Sequence, residues 1–288
     1  MKRFFSIFYA LVAAFSTLSL VAQEKTIGVS PVVVSSAIQS SAASQRSEIS
    51  LKRVAESMDG QFISALQSTR KFQVIARSDL PSLQEEGGFT GSGLAGVSGV
   101  DYLLVVSIDD FQDIQERVNF SGLGKVAERR TIRLGAVAKI YDSKSGKLLE
   151  SSNLQIKNFD TEQVLSNSSN SGGSVSDALI RQLATELAQQ AVIRVTEVVY
   201  PAKILAKTGK IVTVNRGDGT GIATGQLWEV FALGEELKDP DTGASLGKEE
   251  MSVGKVRILR VTPKTAQGEV SGEDLGIDRG AIVRRIDS

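Results

Sequence analysis

A few residue groupings in this 288-residue chain could carry chemistry. Gly91, Gly93 and Gly96 stand in the spacing G-x-G-x-x-G, within GFTGSGLAGVSGVDYLLVVSI. That spacing can cradle the pyrophosphate of a dinucleotide. Asp239 and Asp241 lie two residues apart in DPDTGASLG, where carboxylates could hold calcium or share acid–base work. NRGDGTG, residues 215–221, contains Arg-Gly-Asp, an adhesion tripeptide in other contexts. The chain has no histidine and no cysteine. A Ser-His-Asp triad, a His-Cys pair, every imidazole or thiolate metal site and every disulfide are therefore excluded, as is a lipid anchored on a cysteine.

Each grouping depends on the elements that position it. A dinucleotide fingerprint runs strand, glycines, helix, so that a helix N-terminus faces the phosphate. Here a helix-like LPSLQEE precedes the glycines and the strand DYLLVVSI (101–108) follows them. The glycines read as a connector, and no cofactor is expected. A calcium loop needs more carboxylates and a later bidentate Glu. Asp239, Pro240, Asp241 and Gly243 instead have the composition of a hairpin-tip turn. NRGDGTG reads as a turn in the same way. Asp109 with Asp110, and Glu85 with Glu86, read as solvated ends of a strand and a helix. Trp228, the one tryptophan, alternates with Val230 on an expected strand and reads as core or rim.

Along the chain, KTIGVSPVVV (25–34) reads as a buried strand kinked at Pro31, and SSAIQSSAASQRS (35–47) as a serine-rich loop. Leu51, Val54, Ala55, Met58, Phe62, Ala65 and Leu66 recur at steps of three and four, which predicts an amphipathic helix. Strands follow at 72–77, 101–108, 131–142 and 147–156, with a polar segment between the second and third. SNSSNSGGSVS (166–176) is of low complexity. A long helix is predicted from about Asp177 to Tyr200, with Leu179, Ile180, Leu183, Leu187, Ala191, Val192 and Val195 on one face. Beyond Pro201, short strands alternate with Gly- and Asp-rich turns, the pattern of a small all-β unit.

The first residues, MKRFFSIFYALVAAFSTLSLVAQ, have Lys2 and Arg3, an apolar run, and a small residue before a polar one. This predicts a signal peptide cleaved between Ala22 and Gln23. The 33 basic and 33 acidic residues balance, and loss of Lys2 and Arg3 would leave a slight negative excess. Neither nucleic acid nor an anionic membrane surface is an expected partner.

The helix SLKRVAESMDGQFISALQS, FQVIARSDLPSLQEE, GVDYLLVVSI and RLGAVAKIYDSKSGKLLESS together resemble one known α/β domain. It is shared by the curli secretion family (CsgG), the TolB N-terminal domain and the lipoprotein activators of penicillin-binding proteins. The stretch GKIVTVNRGDGTGIATGQLWEVFALGEELKDPDTGASLGKEEMSVGKVRILRV, with Gly209, Gly221 and Gly225, resembles the C-terminal β-domain of the flagellar H-ring protein FlgT. The resemblance implies an exported, non-enzymatic assembly or scaffold protein. Its partners would be other cell-envelope proteins, or further copies of itself in a ring. In the curli family two hairpins per subunit make a membrane barrel; the corresponding segments here are 112–131 and 156–176. In the first, Glu116 interrupts Ile114, Val118 and Phe120, and the return strand carries Glu128 and Arg130; the second is almost wholly polar. A lipid-facing strand tolerates such charges poorly, so membrane association stays open but no span is predicted.

The sequence thus predicts an α/β class, a mixed α+β sheet flanked by helices, with a second, small all-β barrel-like domain. The expected divisions are a signal peptide at 1–22, an α/β domain at 23–200 and a β-domain at 201–288. An outer-membrane secretion channel and a carboxylate-based hydrolase remain as alternatives.

Overall fold

The structure is a computed structural model that describes residues 24–45, 47–79, 99–120, 125–164 and 174–286. Side chains are described within these ranges except at 117–120, 125–128, 160–164 and 174–177. The signal-peptide junction at Ala22 and Gln23, the glycines 91, 93 and 96, and Glu85 with Glu86 lie outside the described residues.

The first half begins β1 (Lys25–Val29), β2 (Val33–Val34), α1 (Ser36–Ser44), α2 (Glu48–Ser68) and β3 (Phe72–Ala76). It continues with β4 (Tyr102–Phe120), β5 (Lys125–Asp142), β6 (Leu148–Val164) and α3 (Ser174–Val199). The sheet has the order β3-β1-β4-β5-β6, with β2 added beside β4. β3, β1, β2 and β4 run parallel, while β4, β5 and β6 form an antiparallel meander. The parallel part needs a crossover, and α2 supplies it between β1 and β3.

One face of this sheet is buried under α2 and α3. Leu104, Val106 and Ile108 of β4 alternate inward with Ile132, Leu134, Ala136, Ala138 and Ile140 of β5. Against them pack Leu51, Val54, Met58, Phe62 and Leu66 of α2, and Leu183, Leu187, Ala191 and Val195 of α3. The two stripes read from the sequence are therefore the core.

Two stretches differ from their sequence reading. The serine-rich segment forms α1: the Ser35 hydroxyl caps the helix by accepting from the Ile38 N–H. Ser40 turns its hydroxyl back onto the Ser36 carbonyl. Ala42 is buried and Ile38 packs against the core, a short apolar stripe obscured by surrounding serines. The polar stretch after residue 108 continues as strand, so β4, β5 and β6 reach 19, 18 and 17 residues. Ion pairs link polar side chains across the ladder. Asp113 and Arg130 form a bidentate pair at 2.5 and 2.8 Å, 5% and 17% exposed, and Arg133 meets Asp110 at 2.6 Å. Residues 112–120, 125–131 and 156–164 are thus consecutive parts of one three-stranded ribbon.

The second half contains β7 (Ile204–Thr208), β8 (Ile211–Val214), β9 (Leu227–Lys238), β10 (Ser245–Val261), β11 (Ala266–Asp274) and β12 (Ile282–Arg285). Their order is β12-β9-β10-β11-β8-β7. The described residues form no closed barrel but a curled sheet whose edges are tacked together. Lys203 bridges Ile282, Ile204 N–H donates to the Ala281 carbonyl and Val283 N–H to the Ala202 carbonyl. Edge strands of 5 and 4 residues are too short for a continuous closing ladder. A second apolar cluster, with Val212, Val214, Trp228, Val230, Val256 and Val283, fills the curl.

Candidate functional site

Asp239, Pro240, Asp241 and Gly243 lie in the turn joining β9 to β10. The Asp239 carboxylate accepts from the N–H groups of Asp241 and Thr242 and from the Thr242 hydroxyl, at 3.0, 2.7 and 2.9 Å. These bonds, the Thr242 N–H foremost, hold its pKa below the ordinary value. A carboxylate so occupied keeps its charge and has no proton to donate near neutral pH. Among the described residues no group of three or more acidic side chains is placed to hold a metal ion.

Two further carboxylates with shifted pKa values are ties within the fold. Asp101 is pulled down first by the Thr26 N–H and next by Lys144, and it fastens the start of β4 to β1. Asp59 is pushed up by burial, while its Oδ1 accepts from the Val32 N–H at 2.9 Å and pins the bend after β1.

Arg216 has no counterpart in the sequence reading. It sits in the NRGDGTG stretch, yet it is 1% exposed and among the largest fully buried side chains. Gly217 allows this, because a Cβ there would come within 2.5 Å of the Pro263 carbonyl oxygen, and the loop packs flush against that turn. Both terminal nitrogens of Arg216 donate to the Thr196 carbonyl at 3.3 Å. That carbonyl lies in the last turn of α3, the negative end of the helix, where a cation is favoured. Burial pushes the guanidinium pKa down to about 10, opposed by the charge of Glu197, so the group stays cationic at neutral pH. The Arg-Gly-Asp tripeptide therefore turns its arginine inward. The same loop approaches α2 and α3 closely, with Gly219 against Ser68 and Gly221 against Ile193.

Beside Arg216 a cleft of about 760 Å³ opens between α3, β6 and the second sheet. Arg194, Arg216, Arg284 and Arg285 line it, with Glu197 and Glu250. Arg194 pairs with Glu197 at 3.1 Å, and Arg284 makes a bidentate pair with Glu250. Trp228, 5% exposed, forms part of the wall, and its indole N–H donates to Gln226. A second groove of about 880 Å³ lies on the sheet face opposite the helices. Val33, Leu103, Val105 and Tyr141 line it, and Arg77 lies across Gly28. No local pattern announces either cavity, since each is assembled from elements far apart in the chain.

No family model matches the chain, and no curated protein matches it. Similar solved structures include a Xanthomonas campestris protein of the DUF330 family, with 12% identity over 61% of this chain and 84% of that one, at a TM-score of 0.31. Another is the lipoprotein GNA1162 of Neisseria meningitidis, with 19% identity over 56% and 98%, at a TM-score of 0.24. A third is the PelC dodecamer of Paraburkholderia phytofirmans, with 13% identity over 58% and 90%, at a TM-score of 0.24. These findings correct the resemblance to the CsgG, TolB and FlgT families, since none of the three is a curli or flagellar protein. The physical reason is that an amphipathic stripe, a Val-rich strand and a Pro-Asp-Thr-Gly turn recur in unrelated α+β chains.

Proposed function

We propose that the chain is a non-enzymatic protein of the bacterial cell envelope that acts through the surfaces it presents to other proteins. We further propose that it divides at residues 200–201 into an α/β domain (23–200) and a β-domain (201–288). The observation that carries the contact reading is the arm formed by β9 and β10. From residue 233 to 252 both strands are exposed or half-exposed on both faces, so the hairpin stands clear of the core. Leu237, Leu246 and Met251 are exposed along it, more apolar surface than an isolated polar hairpin needs. The envelope location rests on the leader-like first residues. Further copies of the chain belong among the proposed partners, because β6 is a 17-residue edge strand with no outer strand neighbour among the described residues.

A span is not part of the proposal. No helix among the described residues is long and apolar enough to cross a membrane. In the three-stranded ribbon one face carries Gln112, Glu116, Arg133 and Lys157, and the other carries Asp113 and Arg130. Charges on both faces argue against a lipid-facing band.

Cell fractionation tests this reading. The processed chain is expected in the periplasmic fraction, or in a membrane fraction from which carbonate releases it. Retention in the cytoplasm with residues 1–22 intact would overturn the envelope location.

A further inference from the structure

We propose that the cleft between α3 and the second sheet receives an acidic, extended segment of a partner protein. This deepens the contact reading given above and rests on it. Among the described residues that line the cleft, guanidinium groups outnumber carboxylates, four to two. Both carboxylates are already committed, Glu197 to Arg194 and Glu250 to Arg284. Arg216 has no carboxylate partner among the described residues; a single backbone carbonyl, also bonded to the Tyr200 N–H, takes both its terminal nitrogens. A buried cation with so few acceptors gains from an anion brought beside it. The remaining lining suits a peptide more than a bare ion. Asn153 and Gln190 offer amides that pair with an extended backbone, and Trp228, Ile193 and Ile282 offer apolar contact between charges. Arginine and tryptophan are also the residues that concentrate binding energy at protein contacts.

The sole tryptophan lies in the cleft wall, so its emission reports occupancy directly. The full chain is titrated with a deca-aspartate peptide, a Gly-Ser peptide of equal length, and inorganic phosphate. Expected is a saturable change in Trp228 emission with the aspartate peptide alone, weakening as sodium chloride is added. Arg194→Gln and Arg284→Gln change exposed side chains and are expected to weaken binding by about two- to fivefold each. Glu250→Gln removes the internal competitor for Arg284 and is expected to tighten binding by a similar factor, about two- to fivefold. A merely structural disturbance would not give opposite signs at the two ends of one ion pair. Absence of any saturable change, or equal affinity in all three variants, overturns the proposal. So does an equal response to phosphate at matched charge, which would leave a small-anion site. None of these outcomes bears on the envelope location, which fractionation decides separately.

Discussion

The two sheets bury their cores in different ways. The first lies flat under α2 and α3, and its apolar face is closed by side chains from helices. The second has no helix of its own and curls until its edges meet, closing its apolar face against itself. The contrast shows where order comes from in each half. In the first, helix stripes at steps of three and four do the covering. In the second, glycine turns fix the strand directions and the strands cover one another. The first sheet thus depends on a few large helical side chains, and the second on correct pairing at its short edges.

Leu187→Ala is the strongest way to separate them. Leu187 is fully buried between α3 and the first sheet, and its loss is expected to cost about 3–4 kcal/mol. Unfolding followed by far-UV circular dichroism should move to lower denaturant. Trp228 emission, which reports the second core, should keep its midpoint. If both probes shift together, the two sheets unfold as one unit and the contrast is only architectural.

Asp113→Ala comes next. It removes the Asp113 carboxylate from half-buried Arg130, which also donates to Ser50, at an expected cost of about 1–2 kcal/mol. Replacing both residues with leucine is expected to recover much of that loss, measured by the same denaturation.

Arg216 lies where the two halves meet. Arg216→Ala is expected to cost about 2 kcal/mol through lost packing and lost bonds to Thr196. Arg216→Met keeps the volume, and the Thr196 carbonyl keeps its bond from Tyr200, so its cost is expected to be below about 1 kcal/mol. Equal losses in the two variants would show that the charge itself, not the packing, joins the halves.

The smallest effect is acid-dependent. Asp101 has a folded pKa below its unfolded value of about 3.9. Its stabilising share is therefore complete above that value and is lost as pH falls through the folded pKa. Asp101→Asn is expected to flatten the acid limb of the first sheet's stability curve and to leave Trp228 emission unchanged. An unaltered acid limb would remove Asp101 as a fastening of β4.

What was legible in the sequence follows the same division. The stripes of α2 and α3 are local patterns, and each of their apolar residues can be assigned from its neighbours. The turns of the second half are equally local, because glycine and the Asp239 turn act within a few residues. The extension of β4 and β5 was not legible, since Asp113 and Arg130 lie 17 residues apart and satisfy each other only once paired. α1 was hidden because serine favours loops in general, while Ser35 in particular supplies a cap. Arg216 reads locally as part of a turn; its burial comes from the Pro263 turn and α3, which no window around residue 216 contains. The cleft depends on all of these and so was invisible as a site.

Short-span cross-linking in intact cells, with identification of the attached proteins, tests the functional reading most directly. The expected result is attachment to envelope proteins, or to further copies of this chain, through residues of the β9–β10 arm and the arginine-lined cleft. Attachment to cytoplasmic proteins alone would contradict it.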